Sequence, residues 1–472
     1  RKLEVHHLAN MTGEVHFALL SDWLDSKIKQ DTADDEILAF AQSEIDKLNE
    51  RYPVGGSAAP RFYLLHRRRL YNPSQKSWMG WERKRGKLHE LNLLLRGDPD
   101  TTFLPTTKPL PDDIVYVMTL DADTRTMRDA VDRLVGKLCH PLNRPVTDPA
   151  TGKVTAGYSI LQPRVTPSLT TGNEASFLQR VFSSNRGIDP YVFAVSDLYQ
   201  DVFGEGTFTG KGLYHVDAME AALEGRIAEN AVLSHDLLEG ALARSALVTD
   251  VEVVEDYPTR YSVDASRQHR WARGDWQLLG YIFDPKSGIP GLSRWKMIDN
   301  LRRSLTPIFW VMAAIAGWTL LPFTQAAQWQ ALLILALFMA PTFDIVDSIL
   351  PKSTEATARG HFTALARDVA FGTALVALRV VLMAHSAWMM GDAIVRTLYR
   401  MFVSHQNLLE WRTASQAARY GDNSIGFYYR LMYGAVVIAV VGLVIPIIAD
   451  STGTFVGFFF FLFWAGSPAF AW

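Results

Sequence analysis

Apolar residues are distributed differently in the two parts of the chain. After residue 303, four stretches of about 20 residues carry no Lys or Arg and at most two Asp, enough for a helix to cross a bilayer core: 304–323, 330–350, 431–449 and 454–472. Before it, short β-branched runs alternate with helical stretches. The pattern predicts an α/β domain with a mostly parallel sheet flanked by helices over 1–285, followed by interfacial and transmembrane helices over 286–472.

The alternation predicts individual strands and helices. The strands are expected at 14–20, 61–66, 114–120, 157–161 and 248–254. The helices are expected at 1–10, 34–49, 86–96, 175–185 and 260–283. Because ligands of open α/β sheets bind beyond the carboxyl ends of the strands, acidic residues in those places are the first candidates for a functional site.

Charge separates the two parts further and excludes some functions. Only 17 of the 96 charged residues lie after residue 303, and the formal net charge of −2 gives no basic excess for binding nucleic acid. The single cysteine, Cys139, excludes an intrachain disulfide and a multi-cysteine metal site.

The positions of Lys and Arg predict the orientation of the membrane helices. They cluster before the first predicted span, after the second and before the third, whereas the turns 324–329 and 450–453 contain none. The positive-inside rule therefore predicts that residues 1–303, 351–367 and 396–430 lie in the cytoplasm.

The segment 368–395 lies between two of these cytoplasmic flanks. Arg379, His385 and Asp392 interrupt its apolar residues, which is typical of an amphipathic helix at the membrane interface or of a re-entrant helix. A fifth membrane span is the alternative.

Four clusters of polar residues contain the candidate catalytic and binding residues. Asp22 and Asp25 follow the first strand, and Asp121 and Asp123 follow the strand at 114–120; the other clusters are SHDLLEG at 234–240 and RQHRWARG at 267–274. Two carboxylates two residues apart at a strand end can hold a divalent cation with one side chain and a ribose or second-shell water with the other. Such a cation neutralises a nucleoside diphosphate leaving group. By itself, Asp-x-Asp fits a turn and helix N-cap equally well.

In this order the four clusters resemble the D, DxD, (T/E)D and QxxRW motifs of processive inverting glycosyltransferases of the cellulose-synthase type. Four segments are similar, more closely, to the glycosyltransferase region of cyclic β-1,2-glucan synthases: WERKRGKL at 81–88, GEGTF at 204–208, SHDLLEG at 234–240 and NLLEW at 407–411. The sequence departs from the cellulose-synthase pattern at Arg267, which replaces the Gln of QxxRW. It also has no match to the FxVTxK gating loop.

The resemblance implies a GT-A fold and a bacterial inner-membrane enzyme with several spans and a cytoplasmic catalytic domain. It implies UDP-glucose as donor, a growing β-glucan as acceptor, and Mg²⁺ or Mn²⁺ as cofactor. It further implies that a phosphorylase-type domain lies elsewhere in a longer polypeptide. The alternatives are a β-1,4- or β-1,3-glucan or chitin synthase with the same core, and a non-catalytic membrane scaffold that binds a nucleotide sugar.

Residue roles follow from the matched motifs. Inversion requires one carboxylate that takes the acceptor hydroxyl proton, and this general base is expected to be Asp236. Glu239, three residues further on the same helix face, either tunes the pKa of Asp236 by like-charge repulsion or is a surface carboxylate. Asp123 is expected to hold the metal, Asp121 to contact the ribose or uracil, and Asp22 to contact the uridine, with Asp25 as the competing candidate. Lys87 is expected to contact the phosphate from the start of a helix, and Arg270 to bind the diphosphate. Trp271 is expected to stack under the acceptor sugar. Helix capping for Asp236, core packing for Trp271 and a solvated helix end for Lys87 are the competing interpretations.

A final expectation concerns the sheet. Transferases of the resembled fold open with an apolar strand, whereas this chain begins with a predicted helix at 1–10 and a strand that already leads to Asp22. We therefore expect a longer protein whose first strand lies between 15–20 and 115–120, leaving these segments unpaired at roughly twice the spacing of about 4.8 Å between neighbouring strands.

Overall fold

The structure is a computed structural model that describes residues 1–54, 59–106, 108–168, 181, 197–349, 357–411 and 424–472. Its strands are β1 (Phe17–Asp22), β2 (Phe62–Arg67), β3 (Leu70–Asn72), β4 (Ser77–Met79), β5 (Tyr116–Thr119), β6 (Thr124–Thr126), β7 (Val146–Thr147), β8 (Val154–Ala156), β9 (Ile160–Pro167), β10 (Gly212–His215) and β11 (Ser245–Glu255).

Helices account for most of the remaining described residues. Those of the first part are α1 (Lys2–Ala9), α2 (Asp34–Arg51), α3 (Arg83–Leu95), α4 (Ala130–Cys139), α5 (Leu198–Phe203), α6 (Val216–Leu223), α7 (Asp236–Leu242), α8 (Tyr261–Gln277) and α9 (Leu279–Phe283). Those of the second part are α10 (Gly291–Leu320), α11 (Phe323–Ile349), α12 (Ala358–Tyr399), which continues as a π-helix over Arg400–Ser404, α13 (Ile425–Leu431), α14 (Tyr433–Ile448) and α15 (Thr454–Ala471).

The main sheet is mixed, so the expectation of a mostly parallel sheet is wrong. Its strand order is β5-β10-β9-β11-β6, and only the β9–β11 ladder in it is parallel. The reversal arises because β10 inserts antiparallel between β5 and β9. That strand is only four residues long (GLYH) and contains no β-branched residue, so the apolar pattern gives no signal for it.

A second, two-stranded sheet lies apart from the main one. β1 and β2 pair in parallel from Phe17 opposite Phe62 to Asp22 opposite Arg67. Among the described strands β1 pairs with β2 alone and β5 with β10 alone, so no ladder joins β1 to β5. A first strand between them, and the GT-A fold that implies it, stay predictions.

Most predicted elements form close to their expected bounds. The five predicted strands correspond to β1, β2, β5, β9 and β11, and the helices expected at 1–10 and 34–49 correspond to α1 and α2. The helix expected at 260–283 is divided at Leu278 into α8 and α9. The helix expected at 175–185 falls largely outside the described residues.

Aromatic residues hold the helices of the second part together. Trp318 and Trp464 are completely buried, and their rings lie 5.5 Å apart beside Phe460. The Trp318 indole N–H donates to Oε1 of Gln330 at 3.0 Å, and that of Trp464 donates to the Val380 carbonyl at 3.0 Å. Residues of α10, α11, α12 and α15 therefore meet in one cluster.

Length and composition allow some of these helices to cross a membrane. Within the described residues, Ala358–Ser404 and Thr454–Ala471 are long and apolar enough, and a third candidate is the pair Ile425–Leu431 and Tyr433–Ile448, which is bent by 65°. The predicted spans at 304–323 and 330–350 are not among these candidates within the described residues. The second of them overlaps a shorter apolar helix at Phe323–Met339. The four-span topology stays a prediction.

The segment 368–395 lies within one continuous helix, α12. The chain does not reverse within α12, so a re-entrant path is not observed. The length and composition of the helix Ala358–Ser404 match the alternative of a further membrane span.

Two polar pairs connect α12 to α8 of the catalytic part. The Tyr261 hydroxyl lies 2.6 Å from Nδ1 of His385 in a buried position, and Nε2 of His269 lies 2.8 Å from Oδ2 of Asp392. Tyr261 also packs with apolar residues of α12, including Leu382 and Met389.

The turns before α11 and before α15 contact each other. The Phe323 amide donates to Oγ1 of Thr452 at 3.0 Å, and the Ser451 hydroxyl donates to the Trp318 carbonyl at 2.8 Å. Both turns therefore lie at the same end of the helical bundle.

This contact predicts the labelling of engineered cysteines. In a Cys139→Ser background, single cysteines at the exposed positions Thr324 and Asp450 should both react with a membrane-impermeant maleimide from outside intact cells. The wild-type Cys139 should react only after permeabilisation. Labelling of the two turns from opposite sides would contradict the packing, and cytoplasmic labelling of both would reverse the predicted orientation.

Candidate active site

Asp22, the last residue of β1, is held by two cations. Its Oδ1 accepts from Nε of Arg67 at 2.7 Å, and its Oδ2 accepts from Nζ of Lys87 at 2.9 Å. Burial alone would raise the pKa of the Asp22 carboxyl, but Lys87 and Arg67 together outweigh it and lower that pKa. Asp25 makes a separate bidentate pair with Arg83 at 3.0 and 2.7 Å, so it does not share these partners.

Lys87 does not occupy the predicted helix start. α3 begins at Arg83, so Lys87 lies in its second turn, where the positive end of the helix dipole contributes little. The side chain reaches the site by its own length and its pairing with Asp22.

Asp121, two residues beyond β5, lies between two lysines. Lys84 donates to its Oδ1 at 2.7 Å, and Nζ of Lys211 lies 3.2 Å from its Oδ2. Burial would raise the pKa of the Asp121 carboxyl, but the charges of Lys84 and then Lys211 lower it far below its usual value. Asp121 is therefore an ionised carboxylate that is already neutralised by the protein.

Lys84 joins the second and third motifs. Its Nζ also donates to the Gly210 carbonyl at 2.9 Å, and a Cβ on Gly210 would lie 2.7 Å from that Nζ and 2.5 Å from Oδ1 of Asp236. Burial lowers the pKa of Lys84, but Asp121 and then Asp236 reverse this and give a net increase. Gly210 has φ +81, so both its backbone conformation and the space around it favour glycine.

Asp236 begins α7, with one carboxylate oxygen buried and without a hydrogen bond among the described residues. The α8 backbone approaches this turn closely, since a Cβ on Gly274 would lie 2.2 Å from Cβ of Ser234. A carboxylate with a spare buried oxygen at the meeting point of α7, α8 and Lys84 is suited to accept a proton.

Glu239 is buried beside His235, so it is not a surface carboxylate. Its Oε1 lies 2.8 Å from Nδ1 of His235, and both side chains are nearly completely buried. Burial lowers the pKa of His235, but Glu239 and then Asp236 raise it overall. Ligand atoms of His235, Asp236 and Glu239 lie within 4.8 Å of one another, and the effect of Glu239 on the basicity of Asp236 stays a prediction.

Asp123 is the carboxylate of the Asp-x-Asp motif that has no protein partner among the described residues. It is half-buried, and its charge acts on Glu255 at the end of β11 and on Arg270. Mg²⁺ and Mn²⁺ prefer hard oxygen ligands and are often held by one or two carboxylates together with substrate phosphates. The unpartnered carboxylate of Asp123 fits that donor set, whereas both oxygens of Asp121 face lysines.

α8 brings two arginine–aromatic pairs to the site. The Arg267 guanidinium lies 4.8 Å from the ring centroid of Trp271, and that of Arg270 lies 4.0 Å from the ring centroid of Trp411. Burial lowers the pKa of Arg270 to about 10, with Arg267 adding to the effect and Asp121 opposing it, so the side chain remains cationic at neutral pH. Trp271 keeps 38% of its surface exposed, which leaves a ring face for a ligand.

Comparison with known proteins supports the relationship that the motifs indicate. The chain is similar over all 472 residues, with 60% identity, to the cyclic beta-(1,2)-glucan synthase NdvB of Rhizobium meliloti (strain 1021). The chain spans 17% of the length of that relative, and no protein-family model matches this chain. The similarity is therefore to one region of that synthase.

The structure brings several of the predicted residues together between the strand ends, α3 and α8. Contacts and charge interactions link Asp121, Asp123, Asp236 and Arg270, and Asp22 and Lys87 are paired with each other nearby. The sequence interpretation missed Lys84, Lys211 and Gly210, which contact or surround these carboxylates. Lys84 lies within the matched segment 81–88, so its position in that motif was the available signal.

Gly210 provides a test of this geometry. Gly210→Ala should reduce glucosyl transfer by at least about 10²-fold, because the new methyl group would displace the Asp236 carboxylate and the Lys84 ammonium. Gly225→Ala is the matched control, since Gly225 also has a positive φ (+67) but no atom within 4 Å of a new Cβ. Turnover and thermal unfolding of both variants measure the effect. Equal activity losses would mean that backbone strain alone is responsible.

Proposed function

We propose that this chain is the catalytic and membrane-embedded region of a glucosyltransferase that transfers glucose from UDP-glucose to a growing β-1,2-glucan with inversion at the anomeric carbon. The observation that supports this proposal most directly is that Asp121 and Asp236, which belong to two motifs 115 residues apart, meet at the Lys84 ammonium. The similarity to a cyclic beta-(1,2)-glucan synthase supports the product linkage.

The donor would bind along the carboxyl ends of β1 and β5. Asp22 and Asp121 offer acceptors for uridine and ribose, and the Arg270 guanidinium can bind two diphosphate oxygens at once. Asp123 would hold Mg²⁺ or Mn²⁺, which neutralises the charge that develops on the UDP leaving group.

Asp236 would act as the general base. Its carboxylate takes the proton from the acceptor hydroxyl while the bond from that oxygen to the anomeric carbon forms and the bond to the diphosphate breaks. Attack on the face opposite the leaving group gives the β-linkage from an α-linked donor. Trp271 presents an exposed ring on which the acceptor sugar can stack.

The proposed setting is the bacterial inner membrane, with the catalytic part in the cytoplasm. The lipid bilayer contacts the apolar helices, and further domains of a longer polypeptide, including a phosphorylase-type domain, would act on the product. A β-1,4- or β-1,3-glucan or chitin synthase and a non-catalytic nucleotide-sugar scaffold are the rival assignments. Linkage analysis of labelled product separates the first rivals, and UDP release separates the last.

Replacement of the proposed base gives a direct test. Asp236→Asn keeps the shape of the side chain but removes its basicity, so UDP release from UDP-glucose should fall by at least about 10²-fold while UDP-glucose affinity changes little. Asp217→Asn on α6, whose carboxylate is exposed and pairs with Arg96, is the matched control and should keep normal turnover. Near-normal turnover in Asp236→Asn would require another base.

The metal is tested through binding as well as turnover. EDTA should abolish transfer and weaken UDP binding together, and Asp123→Asn should weaken UDP binding in the presence of Mg²⁺ while leaving uridine binding within about twofold. Calorimetry with UDP and uridine measures both effects. UDP binding that is unaffected by chelation would exclude a metal bridge between Asp123 and the diphosphate.

A further inference from the structure

The segment Asn407–Trp411, here called the docked segment, lies against the catalytic part through its backbone. Four consecutive carbonyl groups in it accept from side chains: Asn407 from Arg400 (2.7 Å), Leu408 from Gln277 (2.9 Å), Leu409 from Arg83 (2.6 Å) and Glu410 from Arg273 (2.9 Å). The Asn407 amide also donates to the Ser74 carbonyl at 3.0 Å, and Leu409 is almost completely buried.

Three of the four side-chain donors to this segment come from α3 and α8, and the fourth, Arg400, begins the π-helix that follows α12. Arg83 immediately precedes Lys84 in α3, and Arg273 and Gln277 follow Arg270 on α8. The Glu410 carboxylate adds ion pairs with Arg400 at 2.6 Å and Arg273 at 3.4 Å. The docked segment therefore bridges α3 and α8 and is fixed at both.

This attachment places Trp411 on Arg270. The guanidinium carbon lies 4.0 Å from the centroid of the Trp411 ring, whereas Arg267 lies against Trp271 instead. A planar guanidinium that stacks on an aromatic face keeps its N–H groups in its own plane, where they can bind phosphate oxygens two at a time. The charges of Asp121 and Asp123 act on this guanidinium, so it lies near the proposed donor site.

We propose that Trp411 is a positioning residue for the donor diphosphate, acting through the plane of the Arg270 guanidinium. The docked segment holds the Trp411 ring in place, and the ring keeps the Arg270 guanidinium ordered before the diphosphate binds. The inference rests on the proposed function, because it assumes a nucleoside diphosphate as ligand. It assigns a role to the NLLEW motif, which has no role in the proposed function.

The test compares ligands with and without the diphosphate. In the membrane-embedded protein, Trp411→Ala should weaken UDP binding by about five- to thirtyfold, from the range of cation–π interactions, and leave uridine binding within about twofold. Trp411→Phe should recover most of the UDP affinity because it retains an aromatic face. Trp411→Leu, which retains only apolar bulk, should not. Trp295→Ala, at an exposed tryptophan of α10, is the control for loss of an indole and should match wild type.

A double-mutant cycle tests whether the effect passes through Arg270. In an Arg270→Ala background, Trp411→Ala should cause no further loss of UDP affinity, whereas independent roles would give additive losses. Equal losses for UDP and uridine, full recovery by Trp411→Leu, or additive losses in the cycle would each overturn the inference. Absence of UDP-glucose turnover in wild-type protein would instead overturn the proposed function, so the two failures are distinguishable.

Discussion

The half-buried Lys84 ammonium makes the interactions on which the arrangement of the site depends. It donates to the Asp121 carboxylate and the Gly210 carbonyl and lies beside Asp236. Two carboxylates in such a poorly solvated place would repel each other, and a buried charge without a partner is strongly destabilising. One cation therefore allows a strand end, a glycine turn and the start of α7 to converge.

The same charge balance distinguishes the carboxylates at the strand ends. Asp22 is neutralised by Arg67 and Lys87, and Asp121 by Lys84 and Lys211. Asp123 has no such partner among the described residues. Of these three carboxylates, it is therefore the one whose negative charge is available to an added cation. Under the proposed function, this arrangement would direct the metal to Asp123 and leave Asp22 and Asp121 to orient neutral parts of the donor.

The sequence predicts local elements and motif residues well but not their pairing. β1, β2, β9 and β11 overlap apolar runs that can be recognised. β5 and β10 are both four residues long, but β5 lies within the longer apolar run at 114–120, whereas β10 contains no β-branched residue. The insertion of β10 makes the sheet mixed rather than mostly parallel. Asp22, Asp121, Asp123, Asp236 and Arg270 were found because their motifs are distinctive. Lys84 and Lys211, the ion-pair partners of Asp121, come from segments distant in the sequence, and spacing along one chain does not determine such contacts. His235 lies only four residues before Glu239, but the two side chains face each other only once α7 has formed.

The two polar pairs between α8 and α12 have a consequence for how a product can move. Tyr261 with His385 and His269 with Asp392 form a matched set of donors and acceptors, and sliding one helix along the other by a turn would leave polar groups unpaired in partly or fully buried positions. The helix that carries Arg270 and Trp271 is thus locked in register with a helix of the membrane part. Under the proposed function, a piston-like stroke of these helices would have to break both pairs, so side chains or loops beside the site are the less costly route for displacing a growing product.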